Sequence, residues 1–69
     1  MAARRLRVRF KTGDSVEILA TIHSGFIGMT GKVIAVIENA QLRTLDEYKV
    51  RLENCEEEVF WDIQLRGKP

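Results

Sequence analysis

The chain has one cysteine, Cys55, so no intrachain disulfide can form. A reducing, cytoplasmic setting is expected from that usage. Histidine is equally scarce, with His23 standing alone. A zinc-type site needs four protein ligands, or three and a water. His23, Cys55 and scattered carboxylates make no such set, and they make no nucleophile–base couple either. We therefore expect no catalytic residue, no metal and no cofactor. Long apolar runs are also missing. Nothing approaches the roughly 20 residues of a membrane-spanning helix. Met1-Ala2-Ala3-Arg4-Arg5 is basic, yet no apolar signal-peptide core follows it, so no membrane partner is expected.

Acid is absent from one end of the chain. Residues 1–11 carry Arg4, Arg5, Arg7, Arg9 and Lys11 with no carboxylate, whereas residues 46–69 carry seven acids against four bases. The net charge of +1 conceals two complementary ends. At 69 residues, a single domain over 1–69 is the only sensible count. A domain this small buries about 60 % of its unfolded surface, which leaves little room for an internal active site. Function is more economically placed on a sheet face or in a groove.

What the chain does contain is alternation. Leu6, Val8 and Phe10 oppose Arg5, Arg7, Arg9 and Lys11, a strand from Leu6 to Lys11 with one apolar and one cationic face. Thr12-Gly13-Asp14 reads as a turn. Val16, Ile18, Ala20 and Ile22 then mark a second strand, bent near Ala20. Residues 23–31 form a glycine-marked loop. Lys32-Val33-Ile34-Ala35-Val36-Ile37 is a β-branched run with apolar residues on both faces. It predicts a central strand, or one with a bulge that switches faces. Residues 38–47 read as a long hairpin loop with one helical turn, with Leu42 and Leu45 folding it back onto the body. Tyr48, Val50 and Leu52 alternate as a strand, Glu53–Glu56 form a tight turn, and Glu57 to Trp61 is a further strand. Asp62-Ile63-Gln64 suits a 3₁₀ turn. Leu65-Arg66 closes the sheet, and Gly67-Lys68-Pro69 is a frayed tail. Five or six short strands with frequent turns and no long helix predict an all-β barrel, since closure removes edges a small sheet cannot cover.

Gly13-Asp14-x-Val16-x-Ile18, followed by Gly25-x-x-Gly28-x-x-Gly31-x-Val33, resembles the KOW motif of small SH3-like barrels. That motif is known from ribosomal proteins and NusG-type transcription elongation factors. Tyr48-x-Val50-x-Leu52 and Val59-Phe60-Trp61-Asp62-Ile63-Gln64-Leu65 resemble the remaining strands and terminal turn, so the likeness covers about residues 12–66. It implies an SH3-like barrel with at most a 3₁₀ turn near the C-terminus. It also implies a binding module of the transcription or translation type. The same barrel resembles small accessory subunits of photosynthetic and redox complexes, which bind proteins.

Two contact surfaces follow. Arg5, Arg7, Arg9 and Lys11 would stand about 7 Å apart, at about 3.3 Å per strand residue, and could track a nucleic-acid backbone together with Lys32. The alternative is that this strand lies beside Glu56–Glu58 and pairs with it. Phe26, Ile27 and Met29 either cap the barrel's open end or form a protein-contact or base-stacking patch. Phe60 and Trp61 are adjacent, so one of them faces outward as a contact residue. The expected function is a non-enzymatic binding module for nucleic acid (RNA or DNA), with a protein-interaction adaptor or accessory subunit as the alternative and a homo-oligomer as a third arrangement.

Overall fold

The computed structural model describes residues 8–22 and 24–68. Five strands form one antiparallel sheet: β1 (Ser15–Ile18), β2 (Thr30–Ile37), β3 (Glu47–Leu52), β4 (Glu57–Trp61) and β5 (Leu65–Gly67). Three 3₁₀ turns lie in the connections: η1 (Ser24–Phe26), η2 (Arg43–Leu45) and η3 (Asp62–Gln64). The all-β class is as expected. So are η3 and the single helical turn in the 38–47 loop, while η1 is additional.

The sheet order is β4-β3-β2-β1-β5, which makes β4 and β5 opposite edges. They are nevertheless consecutive in the chain, joined by the three residues of η3. Laid flat, the edges of a five-stranded sheet are about 19 Å apart, at about 4.8 Å per strand spacing. A three-residue 3₁₀ turn advances only about 6 Å. The sheet therefore curls until its edges approach, as in a small barrel. η3 is tied on both sides of this seam. The Asp62 N–H donates to the Asp46 carbonyl before β3 at 2.9 Å, and the Leu19 N–H donates to the Gln64 carbonyl at 2.7 Å.

Alternation sends Val16 and Ile18 from β1, Tyr48, Val50 and Leu52 from β3, Phe60 from β4 and Leu65 from β5 into one core. Val33 and Phe10 complete it. β2 sits at the centre and carries a bulge. Val33 pairs with Val50, but the next partners are Ala35 and Lys49, so Ile34 is the extra residue. Beyond it Val36 opposes Tyr48 and Ile37 opposes Glu47. The bulge is why this apolar run shows no alternation. Gly31 is required where β2 approaches β3: a Cβ there would lie 2.5 Å from the Arg51 carbonyl oxygen and 2.6 Å from Val50 Cγ1. Gly28, at φ 89°, supplies the left-handed turn whose N–H returns to the Ile18 carbonyl at 2.8 Å.

The N-terminal reading needs correction. Part of the expected Leu6 to Lys11 strand lies outside the described residues, and residues 8–11 are not a strand, since the chain bends at Arg9. The backbone N–H groups of Arg9 and Phe10 donate to the Tyr48 hydroxyl at 3.1 and 3.4 Å. Phe10 is buried edge-on against Tyr48, centroids 5.3 Å apart. The Arg9 guanidinium turns into the seam. Its Nε meets Asp62 Oδ2 at 3.1 Å, and its Nη2 donates to the carbonyls of Asp62 (2.9 Å) and Leu65 (2.6 Å).

Other boundaries shift for similar reasons. β1 stops at Ile18, its pairing with β5 closing one residue on where the Leu19 N–H donates to the Gln64 carbonyl, and Ile22 is left 93 % exposed. Leu42 and Leu45 are exposed instead of packed down. Their loop is braced by polar contacts, with Asn39 Oδ1 accepting from the Gln41 and Leu42 N–H groups and Asp46 Oδ1 accepting from the Asn39 N–H. Gly67 belongs to β5 and the Lys68 N–H donates to the Ser15 carbonyl at 2.9 Å, so the tail is ordered through Lys68, and Pro69 lies outside the described residues.

Replacing Arg9 by Ala removes a charged donor from two carbonyls and a carboxylate at the seam. The expected loss is roughly 2–4 kcal/mol in urea unfolding, whereas Lys11→Ala should stay within about 0.5 kcal/mol. Equal midpoints for the two variants would show that the seam does not depend on Arg9.

Candidate functional site

The outer face of β2, β3 and β4 can be read row by row from the register. Ile37, Glu47 and Trp61 form one row, Ala35, Lys49 and Val59 the next, and Lys32, Arg51 and Glu57 the third. Ile37, Val59 and Trp61 are 49 %, 48 % and 47 % exposed, so half of each side chain meets solvent. The Trp61 indole N–H donates to Glu47 Oε2 at 2.9 Å, which orients the ring on this face. Towards the third row the surface becomes ionic. Arg51 donates to Glu57 Oε2 from Nε (3.1 Å) and Nη2 (2.8 Å), and Lys49 Nζ lies 3.6 Å from Glu57 Oε1.

A groove of about 360 Å³ borders β4 at the apolar end of this face. Ile22 and Phe26 form one wall, and Val59, Phe60 and Trp61 form the other. Phe26 meets Phe60 edge-on at 6.4 Å between centroids. Among the described residues, two carboxylates, Glu47 and Glu58, line the groove, and no cation does.

At the other end of β3 lies a second cleft of about 560 Å³. Among the described residues, three cations, Lys32, Arg51 and Lys68, line it with a single acid, Glu53. Lys32 Nζ reaches Ser15 Oγ at 3.4 Å. Glu53 accepts from the Thr30 N–H (3.0 Å) and hydroxyl (2.9 Å). These bonds, the backbone one foremost, hold its carboxyl below the usual range. The Arg51 hydrogen bond does the same to Glu57, and the Arg66 hydrogen bond to Glu17.

The residues singled out in the sequence are scattered. Arg5 and Arg7 lie outside the described residues. Arg9 is bound into the seam with Asp62, away from Glu56–Glu58. Lys11 is exposed beside Asp14 at 3.6 Å, and Lys32 lines the cationic cleft. Phe26 and Met29 pack against the core, and Ile27 stands exposed where a cap was an alternative. Phe60 is buried and Trp61 is the outward aromatic of the pair. Sequence reasoning missed Val59, Ile37, Glu47, Glu58, Arg51 and Lys68. Val59 was within reach, because an inward Phe60 puts both its neighbours outside. Ile37 required the bulge, and Lys68 carried no signal.

The three lowered carboxyls set an acid limit on stability. A carboxyl depressed in the folded chain stabilises it above the unfolded pKa, near 4.3 for Glu, and that contribution is lost as pH falls through the folded value. The urea midpoint should be level above about pH 5 and fall below about pH 4. Glu53→Gln should make the fall shallower, and an unchanged acid limb in that variant would sink the assignment.

Comparison of this chain with protein families, with characterised proteins and with solved structures finds no match.

Proposed function

We propose that this chain is a non-enzymatic binding module whose ligand is a protein, held on the outer face of β2, β3 and β4. The observation that carries this reading is the set of half-exposed apolar side chains, Ile37, Val59 and Trp61, on two adjacent rows of this face. Contiguous apolar surface rimmed by charge marks contact sites, and tryptophan is prominent among residues that dominate binding energy. A cytoplasmic setting fits the single exposed thiol of Cys55. Site-specific photo-crosslinking in cells provides the test. A crosslinker at position 59 should capture a discrete protein adduct that one at position 66 does not. Trp61→Ala should weaken that capture by about 30-fold, roughly 2 kcal/mol, without lowering the unfolding free energy by more than about 0.5 kcal/mol. Equal adducts from both positions would remove the reading.

A second reading is favoured by the convergence of Lys32, Arg51 and Lys68 on one cleft, and by the resemblance to KOW barrels. In it the module binds single-stranded nucleic acid there, not along the Arg9 segment. Neutralising three phosphates gives a salt slope of about −2 for a single strand. Binding of labelled RNA should follow that slope and be lost in the Lys32→Ala/Lys68→Ala double variant. Absence of binding at about 50 mM salt would exclude it.

A further inference from the structure

We infer that the open edge of β4 accepts an extended, basic peptide segment as a sixth strand; this deepens the protein-binding reading and rests on it. The hydrogen-bond phase of the β3–β4 ladder is set at both ends. The Asp62 N–H donates to the Asp46 carbonyl, and the Leu52 N–H donates to the Glu56 carbonyl. In an antiparallel ladder alternate pairs exchange backbone bonds. With the register Tyr48–Phe60 and Val50–Glu58, those two are the exchanging pairs. Glu57 and Val59 therefore turn their N–H and C=O groups away from β3, and β4 is the last strand of the sheet.

Two other outward-facing edge groups are covered. The Trp61 N–H has the same outward phase and donates to Gln64 Oε1 at 2.7 Å. On the opposite edge, the Leu65 carbonyl is taken by Arg9 Nη2 at 2.6 Å. Among the described residues, the backbone of Val59 has no such cover, and it borders the groove walled by Ile22 and Phe26. An uncovered edge beside an apolar groove is the geometry of strand addition, in which backbone bonds give affinity and alternate side chains give choice.

Charge selects the occupant. Among the described residues, the groove holds Glu47 and Glu58 and no cation, and the Glu58 carboxylate has no ion pair or hydrogen bond. The Glu56-Glu57-Glu58 run repels the same edge of a second copy and attracts a cation. In an antiparallel added strand, the residue opposite Val59 shares its outer face. The two flanking residues lie over Phe60 and Glu58. The partner segment thus reads, from its N-terminal side, apolar, any residue, basic. The apolar side chain enters beside Phe26.

The test uses the full chain and an end-blocked pentapeptide, Thr-Val-Thr-Arg-Thr, followed by amide hydrogen exchange. In the free protein the Val59 amide should exchange fast and the Phe60 amide slowly. Saturating peptide should slow Val59 at least tenfold. N-methylation of the central Thr, which removes its donor to the Val59 carbonyl, should weaken binding at least tenfold. Replacing the peptide Arg by Glu should weaken binding too, and Glu58→Lys should invert the preference between the two peptides. A Val59 amide already slow in the free protein overturns the inference. Protection that grows with protein concentration assigns the edge to a second copy and also overturns it. If the N-methyl peptide binds as tightly as the parent, or neither binds while Trp61→Ala still weakens crosslinking, strand addition is wrong and the outer-face contact stands.

Discussion

Three residues between two edge strands impose the shape of this protein. Because η3 is too short to cross a flat sheet, the sheet must curl enough to bring β4 and β5 within its reach. The positions that tolerate this bending are particular ones. Ile34 bulges in the long central strand, and Gly31 lets β2 and β3 come closer than any side chain would allow. The seam is then held by Arg9, whose planar guanidinium serves a carboxylate and two carbonyls while stacking 4.6 Å from the Phe10 ring centroid. A lysine has the charge but not the fork, so it would not replace this contact.

The seam also divides the molecule's polar resources unevenly. Cover is given to the β5 edge by Arg9 and to the end of β4 by Gln64, and among the described residues it stops short of Val59. Acid gathers around that uncovered stretch, and cations gather at the far end of β3. The two ends of one small barrel therefore offer surfaces of opposite sign. The charge asymmetry of the sequence survives in the fold, but its elements are redistributed: the cationic cleft takes Lys32, Arg51 and Lys68 from three separate segments.

Strand positions were legible wherever a single face is buried. Tyr48, Val50 and Leu52 alternate because β3 has solvent on one side, and Val16 and Ile18 do so for the same reason. η3 was legible from its place between two strand patterns. The arginine strand misled because period two is also what a chain shows when a bend places Phe10 inside and ties Arg9 to a distant turn. Nothing local distinguishes an arginine that faces phosphate from one that caps a carbonyl more than fifty residues away. The leucines of the 38–47 loop misled in another way, since Asn39 and Asp46 brace that loop without apolar burial. The outer-face site was only half legible: Trp61 stood out, but Ile37 depended on a bulge and the open edge depended on hydrogen-bond phase.

The seam also has a kinetic side. The β2–β3 and β3–β4 hairpins join neighbours in the chain, and their turns can close quickly. The contacts that finish the barrel are distant ones: β1 with β5, and Arg9 with Asp62 at a separation of 53 residues. Loop-closure entropy has to be met before such contacts return any stabilisation. The three-stranded meander can therefore assemble ahead of the seam, with β5 and the Arg9 segment arriving last. Until they do, the edge that β5 and Arg9 close stands open.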